Sequence, residues 1–300
     1  MAEKKFTKRL SIVFLNYNKL AETQQTVEQL SLICGNREDI EIIAVDNGSS
    51  DGTAEFLKSQ TVAITILLDE NTGIAGYNKG FQQASGQYIL VLDDDSSPQS
   101  IDSVEQIMKV LDQRDEIGII ACHIESPDGS AQWSWHLPEN DSFGPSPFFI
   151  GCGFIIRSEL FRAMNWYPGE FFLYQNEIDI AFKARQNGYQ IYYAPDCVVI
   201  HRGIPGQRPG WRRVYYPTRN TLWLIQRYYP QPQASYMIVS RLLIGLVRAI
   251  QFHQLVNYTK AVKDAFKQRP EKQILSADVR KESDVFWRQN SIFHHLFRMN

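Results

Sequence analysis

Residues 88–100 read YILVLDDDSSPQS. An apolar, strand-like run ends abruptly in three adjacent aspartates, Asp93, Asp94 and Asp95. Acidic residues are common in turns and at helix N-caps, and Ser100 could open a helix there. Repelling carboxylates at the tip of a buried strand are also tolerable when a cation holds them together. The rest of the chain has to decide between these readings.

On either side, apolar β-prone segments alternate with helical ones. Residues 10–15 form a first strand and lead through NYN into a helix over 21–33. IEIIAVD (40–46) is a second strand, followed by the turn NGSSDGT and a helix near 53–59. VAITILLDE is a third strand, and NTGIAGYNKGFQQAS opens as a glycine-containing loop and becomes helical. After the aspartates, Ile101, Val104, Ile107, Met108 and Leu111 share one helical face, and IGIIAC is a fifth strand. This alternation argues for an α/β fold, a mostly parallel central sheet with helices on both faces. In such sheets ligands bind beyond the strand C-termini. Asn16, Asp46, Asn71 and the three aspartates all fall there, which lifts the aspartates above an ordinary turn.

Past Ala121 the chain becomes polar, aromatic and proline-interrupted through residue 149, as a loop or hairpin would. IGCGFIIRSELFRAM is a strand leading to a helix, NEIDIAFKARQNGY is amphipathic with Gly188 as a natural C-cap, and QIYYAPDCVVIH is extended. RGIPGQRPGWRR reads as a basic loop, and the chain from Pro217 onward as mainly helical.

The 300 residues are 44% hydrophobic and 21% charged, with net charge -2, enough for one or two domains and no global argument for nucleic acid. The charge is uneven: residues 1–228 carry 20 Lys and Arg against 28 Asp and Glu, whereas residues 229–300 carry 11 against 5. A basic tail points to an anionic partner or surface. Cys34, Cys122, Cys152 and Cys197 show no metal-knuckle or CxxC spacing, so a reduced cytoplasmic setting is the simpler reading. The first apolar run is too short for a signal peptide, and Arg241 and Arg248 interrupt YMIVSRLLIGLVRAIQF, which argues against a spanning helix.

The order LNYN, VDNGSSDGT, NTGIAGYNKG, LDDDS, GCGF, NEIDIAFKARQNGY, VVIH and RN resembles the family 2 glycosyltransferases of the GT-A fold, most of all the rhamnosyltransferase-containing branch, over residues 10–229. The resemblance implies a GT-A-like nucleotide-binding domain over 1–228, with a donor half to about 121 and an acceptor half from 122 to 228. A helical C-terminal extension over 229–300 follows.

It further implies that Asp93 and Asp95 match the DXD element, whose carboxylates hold Mg²⁺ or Mn²⁺ on the diphosphate of a nucleotide-sugar. A divalent cation neutralises the charge that develops on such a leaving group. Asp95 is the firmest ligand, Asp93 binds metal or a sugar hydroxyl, and Asp94 faces the ribose. His201 matches a distal histidine, a third ligand that suits Mn²⁺ better than Mg²⁺. Asp46 and Asn47 sit where the family reads the base, with Asn16 and Tyr17 lining the same pocket. A carboxylate accepts the imide N–H shared by uracil and thymine, so UDP and dTDP both fit. Asn71, Gly73, Gly76 and Asn78 would lie along the nucleotide-sugar.

Glu177 stands where relatives place the general base, and Asn176 replaces the first of their two acids. A glutamate can take the acceptor proton. Asp179 is the second choice and is otherwise a structural partner for Lys183. Gly151, Cys152 and Gly153 would floor the acceptor site, with Cys152 as a small filler. Trp133, Trp135 and His136 either hold sugar rings or pack as a flap. Arg212, Arg213 and Arg219 either meet a diphosphate or form a solvated basic loop, and the Arg219–Asn220 pair joins that loop to the next helix.

The implied reaction moves a sugar, with L-rhamnose from dTDP-rhamnose leading, to a hydroxyl of a bacterial polysaccharide or a lipid-linked glycan, with inversion. A UDP-hexose or UDP-galactofuranose transferase is the alternative. A nucleotidyltransferase or dehydrogenase would want a glycine-rich loop after the first strand, where the chain has NYNKLAET. A non-catalytic glycan-binding scaffold of the same fold is kept open by Asn176. The tail from 235 to 267 packs on a core or forms a homodimer seam in the first reading, and lies against the inner face of an anionic plasma membrane in the second.

Overall fold

The computed structural model describes residues 6–35, 37–61, 63–132, 134–138, 141–203 and 210–297. These form two compact units. One runs to Phe172 and resumes over Asn176–Gly203; the other holds Leu173–Gln175 and the described residues from Gly210 onward. The second unit takes in residues 210–228, which the sequence reading grouped with the catalytic domain.

The first unit opens with β1 (Lys8–Asn16), α1 (Leu20–Cys34), β2 (Ile40–Asp46), α2 (Thr53–Ser59), β3 (Ile64–Leu67), α3 (Ala75–Gln83) and β4 (Gly86–Asp93). It continues with β5 (Ser96–Pro98), α4 (Ile101–Gln113), β6 (Ile117–Glu125), β7 (Gly144–Pro145), β8 (Gly153–Arg157), α5 (Ser158–Ala163), α6 (Asn176–Gln186) and β9 (Gln190–His201). The sheet order is β3-β2-β1-β4-β8-β6-β9-β5, with β7 also on β9.

The expected mostly parallel sheet is a mixed one. β3, β2, β1 and β4 are parallel neighbours and β6 pairs parallel with β9, but β8 runs antiparallel to both β4 and β6, and β5 and β7 run antiparallel to β9. Parallel neighbours need a crossover, usually a helix. Helices supply it up to β4, whereas β8 is reached through the irregular segment after β6 and returns in the opposite direction. Ile12, Phe14, Leu90 and Leu92 pack against Val27 and Leu30 of α1 and Val104, Met108 and Leu111 of α4 in one buried cluster. Ser100 caps α4 by accepting from the Asp102 N–H at 3.1 Å.

Register aligns the functional residues. Asn16 pairs with Asp46, and Leu15 with Asp93, so β1, β2 and β4 end together. β5, a strand the sequence did not reveal, pairs Ser96 with His201. The Arg202 N–H donates to the Asp95 carbonyl at 2.9 Å, extending this pairing by one step. The last of the three aspartates is thereby placed beside the last residue of β9.

The second unit is helical: α7 (Gly210–Tyr228), α8 (Gln233–Gln251), α9 (Leu255–Lys267), α10 (Ala277–Glu282), α11 (Asp284–Gln289) and α12 (Ile292–Phe297). α7 packs on α8 and α9, with Val214, Ala249 and Tyr258 buried together.

The loop before α3 closes on Gly73, which has φ +63°. A Cβ there would lie 2.1 Å from the Phe172 carbonyl oxygen, which accepts the Ile74 N–H at 2.8 Å. Gly73→Ala is expected to cost about 2–4 kcal/mol, combining left-handed strain with a backbone clash. Urea unfolding would measure it, and a loss below the range of surface substitutions would contradict this account.

Candidate active site

The three aspartates are handled differently. The Tyr77 hydroxyl lies 2.8 Å from Asp93 Oδ1 and 2.7 Å from the Leu92 carbonyl, anchoring the end of β4. Burial, then the charges of Asp95 and Asp93, push the Asp94 carboxyl well above its ordinary range. The repulsion among three carboxyls thus falls on the middle one, which takes an N–H from Tyr17. Burial also opposes the charge on Asp95, but His201, Lys19 and Arg202 outweigh it and hold that carboxyl below the usual range.

His201 Nε2 lies 3.2 Å from Asp95 Oδ1. Gln132 decides the tautomer. Its amide nitrogen donates to the His201 carbonyl at 3.0 Å, which leaves Oε1, 2.8 Å from His201 Nδ1, to accept from the ring. Nδ1 therefore carries a proton. In the charged ring Nε2–H also faces Asp95 and holds that carboxyl low; in the neutral ring Nε2 turns its lone pair toward Asp95, as in a metal-ligating histidine. Asp95 Oδ1 is buried, and the group that faces it is His201 Nε2. A carboxylate oxygen and a ring nitrogen this close need a proton or a metal ion between them, and neighbouring ligands of a six-coordinate ion are about 3 Å apart.

Gly203 completes the cradle: a Cβ there would stand 2.8 Å from both Asp95 Oδ2 and His201 Nε2. Asp93, Cys152 and His201 also converge, each with a ligand atom within 4.8 Å of the others. The residues present therefore fit a divalent cation. Carboxylates with one imidazole suit Mn²⁺ or Mg²⁺, while the nearby Cys152 thiol is a softer group that these ions do not need. Cys152 is buried, as a small filler would be.

Several residues assigned to the nucleotide-sugar also hold the fold. Asn47 Nδ2 donates to Asn71 Oδ1 and the Gly73 carbonyl, both at 3.0 Å, and its oxygen accepts from the Thr72 N–H at 3.0 Å and hydroxyl at 3.1 Å. Its amide is fully engaged in shaping the loop. Asn16 is buried, donates to the Val45 carbonyl and accepts from Thr23. Asn78 exchanges two hydrogen bonds with the Tyr167 backbone. Gly76 packs against Leu15 and Asn47, so the closeness it permits is to protein. Asp46 differs. Its Oδ2 accepts the Ser49 N–H at 3.0 Å, while Oδ1 is buried without a partner, and Tyr17 stands exposed on the next residue after its strand neighbour Asn16.

Glu177 lies in the first turn of α6 with its Oε1 3.5 Å from His136 Nε2. The His136 ring stacks on Trp135 with centroids 4.0 Å apart, and burial pulls its pKa down to about 3. Tyr167 feels both Glu177 and Asp93 and takes a hydrogen bond from Asn176, so the base candidate and the cation candidate share a neighbour. Asp179 is wholly buried with its carboxylate 2.7 Å from Lys183.

Trp133 lies outside the described residues. Gly151 has open space where a Cβ would point, whereas Gly153 is packed against Ile124 and Val199, so only the second makes a tight floor. Arg212, Arg213 and Arg219 lie on α7 rather than in a loop, over the rings of Trp211, Phe252 and Trp223 respectively. Asn220 is inside the same helix, not at its start. Its Nδ2 donates to the Leu173 and Tyr174 carbonyls.

Tyr77, Gln132, Lys19, Arg202 and Gly203 were missed from sequence. Only Gly203, following the strand-ending histidine, carried a local signal.

Residues 11–181 match the family Glycosyl transferase family 2. The chain belongs to this family. It is 32% identical over 132 residues, 41% of its length, to an undecaprenyl-phosphate 4-deoxy-4-formamido-L-arabinose transferase of Yersinia enterocolitica, a match that takes in 40% of that relative. The chain spans less than two thirds of the length of the curated relatives it matches. Among solved structures, the 1–349 fragment of S. aureus TarS in complex with UDP-GlcNAc superposes with TM-score 0.64 at 14% identity, covering 97% of this chain and 92% of that one. A mannosyltransferase from Pyrobaculum calidifontis in complex with GDP-Man and Mn²⁺ superposes with TM-score 0.61 at 16% identity, covering 98% and 89%. These likenesses establish a GT-A-like architecture with a helical C-terminal extension.

The buried His136 makes stability depend on pH. Its ring takes a proton near the ordinary 6.5 when unfolded and only near 3 when folded. Between these values the unfolded chain binds more protons, so stability present above pH 6.5 is lost as pH falls toward 3. His136→Phe should flatten the slope by up to about 1.4 kcal/mol per pH unit in urea unfolding at pH 7, 6 and 5. Parallel slopes for both proteins would refute the burial account.

Proposed function

We propose that the chain is a metal-dependent inverting glycosyltransferase acting on a nucleotide-diphosphate sugar. The observation that carries this reading is the facing pair of Asp95 Oδ1 and His201 Nε2, with Gly203 keeping the space beside them clear. Asp95, His201 and Asp93 would hold Mn²⁺ or Mg²⁺, which neutralises charge on the departing diphosphate. Lys19 and Arg202, whose charges reach Asp94 and Asp95, add positive potential there.

Glu177 removes the proton from the acceptor hydroxyl onto its carboxylate as that oxygen bonds to the anomeric carbon. The bond from that carbon to the diphosphate breaks, and its electrons leave with the phosphate oxygen. His136, with its Nε2 3.5 Å from Glu177 Oε1, stands beside it as a neutral ring.

The partnerless Asp46 Oδ1 supports a base with a ring N–H, uracil or thymine, with Tyr17 exposed nearby to stack. Guanine offers a comparable N–H. L-Rhamnose from dTDP-rhamnose leads among the donors on the order of motifs, followed by UDP-hexoses. A glycan or lipid-linked acceptor is supported by the name of the Yersinia relative, which acts on undecaprenyl phosphate. Such an enzyme would work in the reduced cytoplasm.

Calorimetric titration with UDP, dTDP and GDP, each with Mn²⁺ and with EDTA, should show binding that needs the metal. It should be lost in Asp95→Ala and reduced about tenfold or more in Asp46→Ala. No binding of any nucleotide with Mn²⁺ would remove the transferase reading. Glu177→Gln should retain donor binding and lose about 10²–10⁴ in kcat, as removal of a general base does. Equal losses from Asp179→Asn, with Glu177→Gln active, would transfer the role to Asp179.

A further inference from the structure

Among the described residues, the second unit presents an apolar face that none of them covers. On α8, Val239, Leu243, Leu246, Val247 and Ile250 recur at helical spacing, and Val239, Val247 and Ile250 are each more than half exposed, at 57%, 56% and 55%. No charged residue interrupts this stripe, since Arg241 is buried on the opposite side and Arg248 lies half a turn away. Phe293 of α12, also exposed at 57%, stacks on Tyr236 of α8 and extends the apolar face toward the start of that helix. Scattered single apolar residues on a surface are normal; a contiguous stripe of this kind marks an interaction site.

The neighbouring helix says what covers it. On α9, Val256, Lys260, Lys263 and Lys267 follow at i, i+4, i+7 and i+11, one outward face, and all four are exposed. The helix has a single acidic residue, Asp264, and it is bonded to the Tyr215 hydroxyl at 2.6 Å. An uncharged aliphatic stripe beside a row of lysines is the pattern of a helix pair lying in the headgroup region of an anionic bilayer. The aliphatics enter the acyl boundary, and the lysine stems lie along it with their ammonium groups at the phosphates.

A second copy of the chain fits less well. The α9 of a second copy offers no exposed carboxylate to meet the lysine row. By length and composition α8 could span a membrane, with 33% of its apolar window buried. Its inner face, however, packs on α7 and α9 through Ala234, Met237, Gly245 and Ala249, and Gly245 brings the Tyr258 ring close. A helix packed along one side is placed to lie on a surface.

We infer that α8 and α9 dock the protein on an anionic phospholipid surface, with α8 supplying apolar insertion and α9 the electrostatic attraction. This inference stands apart from the transferase reading, because its readout needs no nucleotide or sugar. The test is sedimentation of the full chain with vesicles of phosphatidylglycerol and phosphatidylcholine, and with vesicles of phosphatidylcholine alone. Binding should require the anionic lipid and weaken as salt rises. The joint change Lys260→Gln, Lys263→Gln, Lys267→Gln touches only exposed positions and should weaken binding about a hundredfold. Leu243→Glu with Val247→Glu should abolish binding while leaving the far-ultraviolet circular dichroism unchanged. Absence of binding to the anionic vesicles overturns the proposal. So does a concentration-dependent dimer in light scattering that Leu243→Glu dissolves, in a protein that ignores lipid.

Discussion

The site depends on one contact between backbones, the pairing of β5 with β9. Three residues, Ser96 to Pro98, leave the aspartate run and join the edge of the sheet against the end of β9. Without that pairing Asp95 and His201 would be the tips of separate segments, 106 residues apart in the chain. With it, a carboxylate oxygen and a ring nitrogen are held 3.2 Å apart at positions set by ladder hydrogen bonds rather than by loop conformation. When the ring is neutral, holding two acceptors that close opposes folding, and the sheet offsets that cost. A pair preorganised in this way needs little rearrangement to receive an ion, which is where a rigid scaffold contributes most to a charged site.

The surrounding polar residues divide into those that build and those that are left exposed to chemistry. Asn16, Asn47 and Asn78 each satisfy both ends of their amides within the protein. Buried amides that are fully paired stiffen the loops they join and have nothing left to offer a ligand. Asp46 Oδ1 is a buried carboxylate oxygen without a hydrogen-bond donor, and buried Asp95 Oδ1 meets the titratable His201 ring rather than a fixed donor. Such atoms are costly, and a folded protein keeps them only where something else completes them. Hydrogen-bond accounting therefore separates asparagines that shape the loops from aspartates that await a partner, even though all sit at the same strand ends.

The alternation of strands and helices up to Asp95 was readable because each strand is a short apolar run closed by turn residues and each helix has a one-sided apolar face. β5 was not. Ser-Ser-Pro has no strand propensity, and its conformation comes entirely from its neighbour β9. The antiparallel insertion of β8 was hidden for a similar reason, since strand direction depends on the path of a connection rather than on the strand's own residues. At the site, Asp93, Asp95 and His201 stood out by residue type and by position at strand ends. Tyr77 and Gln132 did not, because a tyrosine on a helix and a glutamine in an irregular segment acquire meaning only from what they touch. Arg212, Arg213 and Arg219 were read as a loop from the prolines and glycines before them, yet α7 begins at Gly210 and carries all three over aromatic rings.

The substitution of Asn176 for an acid takes on a physical role in this setting. Asn176 is buried and bonds the Tyr167 hydroxyl, and Tyr167 already lies in the field of Glu177 and Asp93. A third carboxylate at that position would raise the charge density between base and cation site, and burial would force one of the acids to keep its proton. An amide supplies the hydrogen bond without the charge. Glu177 is then the nearest titratable partner of His136, whose ring stays neutral because burial resists its protonation. A protonated imidazole there would stabilise the carboxylate and weaken it as a base. The departure at Asn176 and the burial of His136 act in the same direction, each keeping a charge away from the neighbourhood of Glu177.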